Sequence, residues 1–104
     1  MAFSGKPFFQ IPRPIRRKGF LNVETIIADK TLVAKDSAIQ VLNGGGSDFN
    51  VNLPLELDGI SYQILNSGGT NSLSVKNAAG TEQVSLASGE SSLLVCNGTV
   101  WVAI

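Results

Sequence analysis

Residues 49–75, FNVNLPLELDGISYQILNSGGTNSLSV, decide the fold class. In this stretch Phe49-x-Val51-x-Leu53, Ile60-x-Tyr62-x-Ile64 and Leu73-x-Val75 place apolar residues at every second position. A period of two puts each set on one face of an extended strand. Asp58-Gly59 and Ser67-Gly68-Gly69 stand between the runs, where the chain has to turn. The same grammar continues outward. Gly44-Gly45-Gly46 precedes the stretch, and Ala79-Gly80, Ser88-Gly89 and Asn97-Gly98 punctuate Val84-x-Leu86 and Val100-x-Val102-x-Ile104. Turns at this close, even spacing predict an all-β fold, a small antiparallel β-sandwich or barrel. Asn97-Gly98 predicts a two-residue type I′ hairpin, which requires φ > 0 at both residues.

Two features complete the body. Residues 21–37 fit a helical face loosely, but the runs Thr25-Ile26-Ile27 and Thr31-Leu32-Val33, rich in β-branched residues, favour short strands. Residues 40–48, QVLNGGGSD, are echoed by residues 63–71, QILNSGGTN, and Phe-x-Val or Leu-x-Val follows each. Either a duplicated hairpin or two hairpins converging on similar glycine turns accounts for the echo.

Residues 1–20 differ from this body. They hold four of the five Phe and three of the four Pro. Each Pro fixes φ and steers its predecessor away from the helical region, so an extended N-terminal arm over 1–20 is expected ahead of an all-β domain over 21–104. A solvated tail would be poor in aromatics. Phe3, Phe8, Phe9, Ile11 and Ile15 therefore predict an arm that docks on another surface, with Arg13, Arg16, Arg17 and Lys18 as its charged contacts.

Charge divides the chain at the same place. Of 104 residues, eight are Lys or Arg and eight Asp or Glu. Five of the basic ones lie in residues 1–23 with no acid, which leaves a net charge of −5 on residues 24–104. Five positive charges interleaved with Phe and Ile make a thin footprint for nucleic acid, so a protein partner is expected instead.

Chemistry finds little purchase. The chain has no His, which removes imidazole catalysis and ligation, and its lone Cys96 cannot form an internal disulfide. With no base to activate it, Cys96 in its apolar run reads as a small core residue. The triple glycine leads into a strand and an Asp, whereas a phosphate cradle needs a helix N-terminus. Asp48, Glu56 and Asp58 match no calcium-loop spacing. No enzyme activity, no cofactor and no metal site are expected. No apolar stretch is long enough to span a membrane, and the charges of residues 1–20 follow the apolar residues, opposite to a signal peptide. Tyr62 and Trp101 carry two readings: sugar-stacking rings, or closure of the core or of a seam between subunits.

From about Asp29 onward the chain resembles small β-modules of tailed-phage virions: capsid decoration proteins, head fibres and tail-fibre segments. The resemblance is carried by Thr31-Leu32 with Asp36-Ser37, Val51-Asn52-Leu53-Pro54, the strand and turn from Gly59 to Gly68, Leu73 to Val75, Leu86 to Ser91, and Leu94 to Trp101. It implies a virion protein, typically a homotrimer, without catalytic residues. The expectation is thus a cement protein made in the host cytoplasm, bound through its arm to the major capsid protein on the outer capsid surface. The alternative is a fibre module or adhesin that binds a receptor glycan through Tyr62 and Trp101.

Overall fold

The computed structural model describes residues 19–104, in which the alternating runs form nine strands and no helix. They are β1 (Leu21–Thr25), β2 (Lys30–Thr31), β3 (Ile39–Asn43), β4 (Phe49–Asn52), β5 (Ser61–Asn66), β6 (Leu73–Lys76), β7 (Glu82–Leu86), β8 (Ser91–Cys96) and β9 (Trp101–Ala103). A five-stranded sheet has the order β1-β3-β5-β8-β9 and a four-stranded sheet the order β2-β4-β6-β7. The all-β expectation holds. The arm falls almost wholly outside the described residues, which begin just ahead of β1.

Strand direction departs from the expectation. The pairs β1–β3, β3–β5, β2–β4 and β4–β6 are parallel. Only β5–β8, β6–β7 and β8–β9 are antiparallel, so both sheets are mixed. The reason is geometric. Each early turn carries the chain from one sheet to the other, so consecutive strands are not neighbours. Strands two apart then lie side by side and run the same way. Alternation fixes a face and leaves direction open.

The sequence echo acquires its meaning here. Its two copies are stacked coils rather than hairpins, because β3 and β4 lie in different sheets, as do β5 and β6. The echo matches Gln40 to Gln63, yet the ladder sets Gln40 beside Ile64 and Ile39 beside Gln63. A slip of one residue exchanges faces. Gln40 therefore points inward and is buried, while Gln63 lies on the outer face. The offset between partners in this ladder (Ile39 to Gln63) is kept in the other sheet, where Phe49 meets Leu73 and Val51 meets Val75, so Phe-x-Val and Leu-x-Val are aligned.

The sheets enclose one core. From the five-stranded sheet come Leu42, Tyr62, Ile64, Leu94, Cys96 and Trp101. From the four-stranded sheet come Val51, Leu73, Val75 and Leu86, with Ile26, Leu32, Leu53 and Ile60 contributed by the adjoining connections. The last hairpin forms, but differently from the expected turn. Only Gly98 has positive φ, and Asn97 instead accepts from the N–H groups of Thr99 and Val100 through Oδ1. The Asn97 N–H also donates to the Val100 carbonyl at 3.2 Å, so the two residues at the tip are Gly98 and Thr99 instead of Asn97 and Gly98, with Asn97 Oδ1 forming an Asx-type turn.

Candidate functional site

The inward side of edge strand β1 is polar. Asn22 and Glu24 pair with Gln40 and Leu42 of β3 and so share their inward side. Asn22 Nδ2 donates to Gln40 Oε1 at 2.7 Å and to Glu24 Oε1 at 2.9 Å. Lys30 Nζ donates to Glu24 Oε1 at 2.7 Å, and Gln40 Nε2 to the Ser37 carbonyl at 2.8 Å. This network closes one end of the core. Lys30, then Asn22, hold the Glu24 carboxyl below its ordinary pKa. Nearby, Asp29 accepts from the Asn50 backbone N–H at 2.9 Å, with a second bond from Asn50 Nδ2, and its pKa is lowered too.

The outward side of β1 is apolar. Leu21 is 52% exposed and Val23 67%, so this edge strand shows its hydrophobic side to solvent and its polar side to the core. The apolar character continues across the sheet. Val23 pairs with Val41, and Val41 with Leu65; Leu21 pairs with Ile39. Leu93 and Val95 of β8 share this side, as does exposed Val102 of β9. The set Val100-x-Val102-x-Ile104 thus faces outward, while Trp101 turns into the core. Among the described residues no strand position on this face carries a charge.

The opposite sheet is conventional. Its outward positions include Asn50, Asn52, Ser74, Lys76 and Ser85, in register with one another across β4, β6 and β7. The outer face of the four-stranded sheet is polar, whereas that of the five-stranded sheet is uncharged, its apolar residues interrupted by Thr25, Asn43, Ser61, Gln63 and Ser91, with Gln63 Nε2 donating to Ser91 Oγ at 3.4 Å. Sheets solvated on one side normally alternate apolar-in and polar-out, and this largely apolar outer face departs from that pattern.

The aromatic pair has one of its two expected roles. Tyr62 is fully buried and Trp101 only 4% exposed. Their centroids are 5.9 Å apart with planes tilted by 34°. Tyr62 Oη donates to the Val33 carbonyl at 2.7 Å and Trp101 Nε1 to the Pro54 carbonyl at 3.2 Å. Both rings close the core, which leaves sugar stacking without a ring face. Cys96 is buried and accepts long contacts at Sγ from the N–H groups of Leu57 and Gly98. Among the described residues no group of three or more His, Cys, Asp or Glu could hold a metal.

The expected arm contacts Phe3, Phe8, Phe9, Ile11, Arg13, Ile15, Arg16, Arg17 and Lys18 lie outside the described residues. The outer face went unpredicted, although a signal for it exists. Val41-Leu42, Ile64-Leu65 and Leu93-Leu94-Val95 put apolar residues at adjacent strand positions, which marks strands covered on both sides. No protein-family model, curated protein or solved structure matches the chain.

Proposed function

We propose that this protein is a non-enzymatic structural component of a phage virion: a capsid decoration protein that acts as an oligomer, taken here as a trimer. The observation that carries the reading is a pair of mixed sheets with one polar and one uncharged, largely apolar outer face, in a chain whose residues 1–20 are rich in Phe and Arg. Such a body holds surfaces together. The sequence resemblance supplies the virion, and the arm supplies the grip on the shell. Phe3, Phe8, Phe9, Ile11 and Ile15 fill grooves between capsid subunits. Arg13, Arg16, Arg17 and Lys18 meet acidic capsid surface and steer docking. Several linked arms multiply individually weak contacts.

Cosedimentation with purified capsids tests this. The full chain is expected to pellet with capsids, and a variant lacking residues 1–20 to remain in the supernatant. Equal decoration by the two proteins removes the arm from the mechanism.

A further inference from the structure

We propose that the outer face of the five-stranded sheet is the seam between copies of this chain. The proposal deepens the oligomeric part of the functional reading and does not depend on the shell.

Three observations select a second copy as the occupant. The first is the inversion of β1. Leu21 and Val23 face outward, while Asn22 and Glu24 face the core and are bonded there. Exposed Leu21 and Val23 on this side invite cover by another apolar surface.

The second is charge. Residues 24–104 carry −5, so two bodies repel least where they meet on an uncharged face. This face is neutral ground: Val41, Leu65, Val95 and Val102 lie across it, and no strand position on it is charged. The same chain carries +5 in residues 1–23, immediately ahead of β1. A neighbouring copy therefore offers both an uncharged face and a body whose charge equals that of the arm in size and opposes it in sign. The sequence requires no other partner to have this balance.

The third is extent. Five strands about 4.8 Å apart and five residues long span an area on the order of 400 Å² in plan. That is about half of what one side of a standard interface buries. Exposed Phe20 and Ile104, which adjoin the two edge strands β1 and β9, enlarge the apolar surface. Copies meeting here cover apolar side chains that solvent would otherwise wet.

Sedimentation velocity of the full chain, over a wide concentration range and without capsids, tests the seam. The unaltered chain is expected to sediment as a multiple of its own mass. Combined Val23→Lys and Val102→Lys substitutions place charges on both edges of the face, at positions already exposed. Association should weaken by about a hundredfold or more, because the ammonium groups would be buried unpaired. Far-UV circular dichroism should be unchanged. Val23→Ile should keep the mass, and so should Ser85→Lys on the polar sheet.

An unaltered chain that sediments as one copy at every concentration overturns the proposal, and leaves residues 1–18 or a foreign protein to cover the face. A doubly substituted chain that folds and keeps its mass overturns it equally. If the seam holds but capsids fail to bind, only the shell reading falls.

Discussion

Asn66 and Asn71 show how much a single corner of the fold can specify. Asn66 is fully buried and donates to the carbonyls of Asn71 and Leu86 at 2.8 and 2.9 Å. Its Oδ1 accepts from the Gly68 N–H at 2.9 Å. One amide thus ties two turns to β7. Asn71 is also buried, but neither polar atom of its side chain meets a protein partner among the described residues. Its amide is wedged between two glycines. A Cβ on Gly68 would fall 1.7 Å from Asn71 Oδ1, and one on Gly44 would fall 2.6 Å from both Asn71 Nδ2 and the Ser47 carbonyl. Neither glycine has positive φ, so space, not backbone conformation, excludes a side chain. Gly68→Ala is therefore expected to cost about 2 kcal/mol or more, as overpacking does. Asn71→Ala should restore much of that loss, with a coupling of about 1 kcal/mol or more in a double-mutant cycle. Gly44→Ala should not be rescued, since a backbone carbonyl also obstructs it. Urea unfolding of the five variants measures this, and additive Gly68 and Asn71 effects would refute the wedge. The turns were legible in the sequence as glycine signals. The two-amide corner was not, because it joins residues whose contact depends on how coils stack.

At the scale of the element, β1 and β2 are fastened by the Glu24–Lys30 pair and by Asp29 on Asn50. Both carboxyls sit below their ordinary pKa. A carboxyl lowered in the folded state binds fewer protons there than when unfolded. Its stabilisation is present above the unfolded pKa, near 4, and is lost as pH falls through the folded one. Acidification below about pH 4 is therefore expected to loosen β1 and β2 before the rest of the sandwich. The Glu24 contribution is about 1 kcal/mol or less, because the pair is partly exposed and screened by solvent. Glu24→Gln should flatten part of the pH dependence of stability between about pH 5 and 3. An identical slope in the variant would remove Glu24 from the acid response. The same strand shows where sequence reading reaches its limit. Short strands in residues 21–37 were readable from Thr25-Ile26-Ile27 and Thr31-Leu32-Val33. Their parallel neighbours were not, because period-two patterning is blind to strand direction. The repeat of residues 40–48 at 63–71 did not settle it either, because duplicated hairpins and stacked coils both repeat a strand and its turn.

At the scale of the whole molecule, the described residues form two mixed sheets whose outer faces obey different rules. The all-β class and most of the core were legible, since alternation places Val51, Leu53, Tyr62, Ile64, Leu73 and Val75 together. The apolar outer face was harder to read, because adjacent apolar residues such as Leu93-Leu94 fit one strand face as readily as two. That face has a further consequence in its response to ionic strength. Burial of apolar surface is nearly indifferent to moderate salt, whereas attraction between oppositely charged segments fades as the screening length shrinks from about 14 to 4 Å between 0.05 and 0.5 M. Copies joined on an uncharged face, with +5 and −5 segments of neighbouring chains close by, should therefore part more readily as salt rises. Their dissociation constant is expected to increase severalfold over that range. When Arg16, Arg17 and Lys18 are changed together to Gln, the excess negative charge of the bodies dominates, and the trend should reverse, so that salt tightens the assembly. Sedimentation at several salt concentrations separates the two slopes, and parallel slopes would mean that the arm does not sense its neighbour. Slopes of opposite sign would describe a protein held together by an interface deaf to salt and tuned by a tether that hears it.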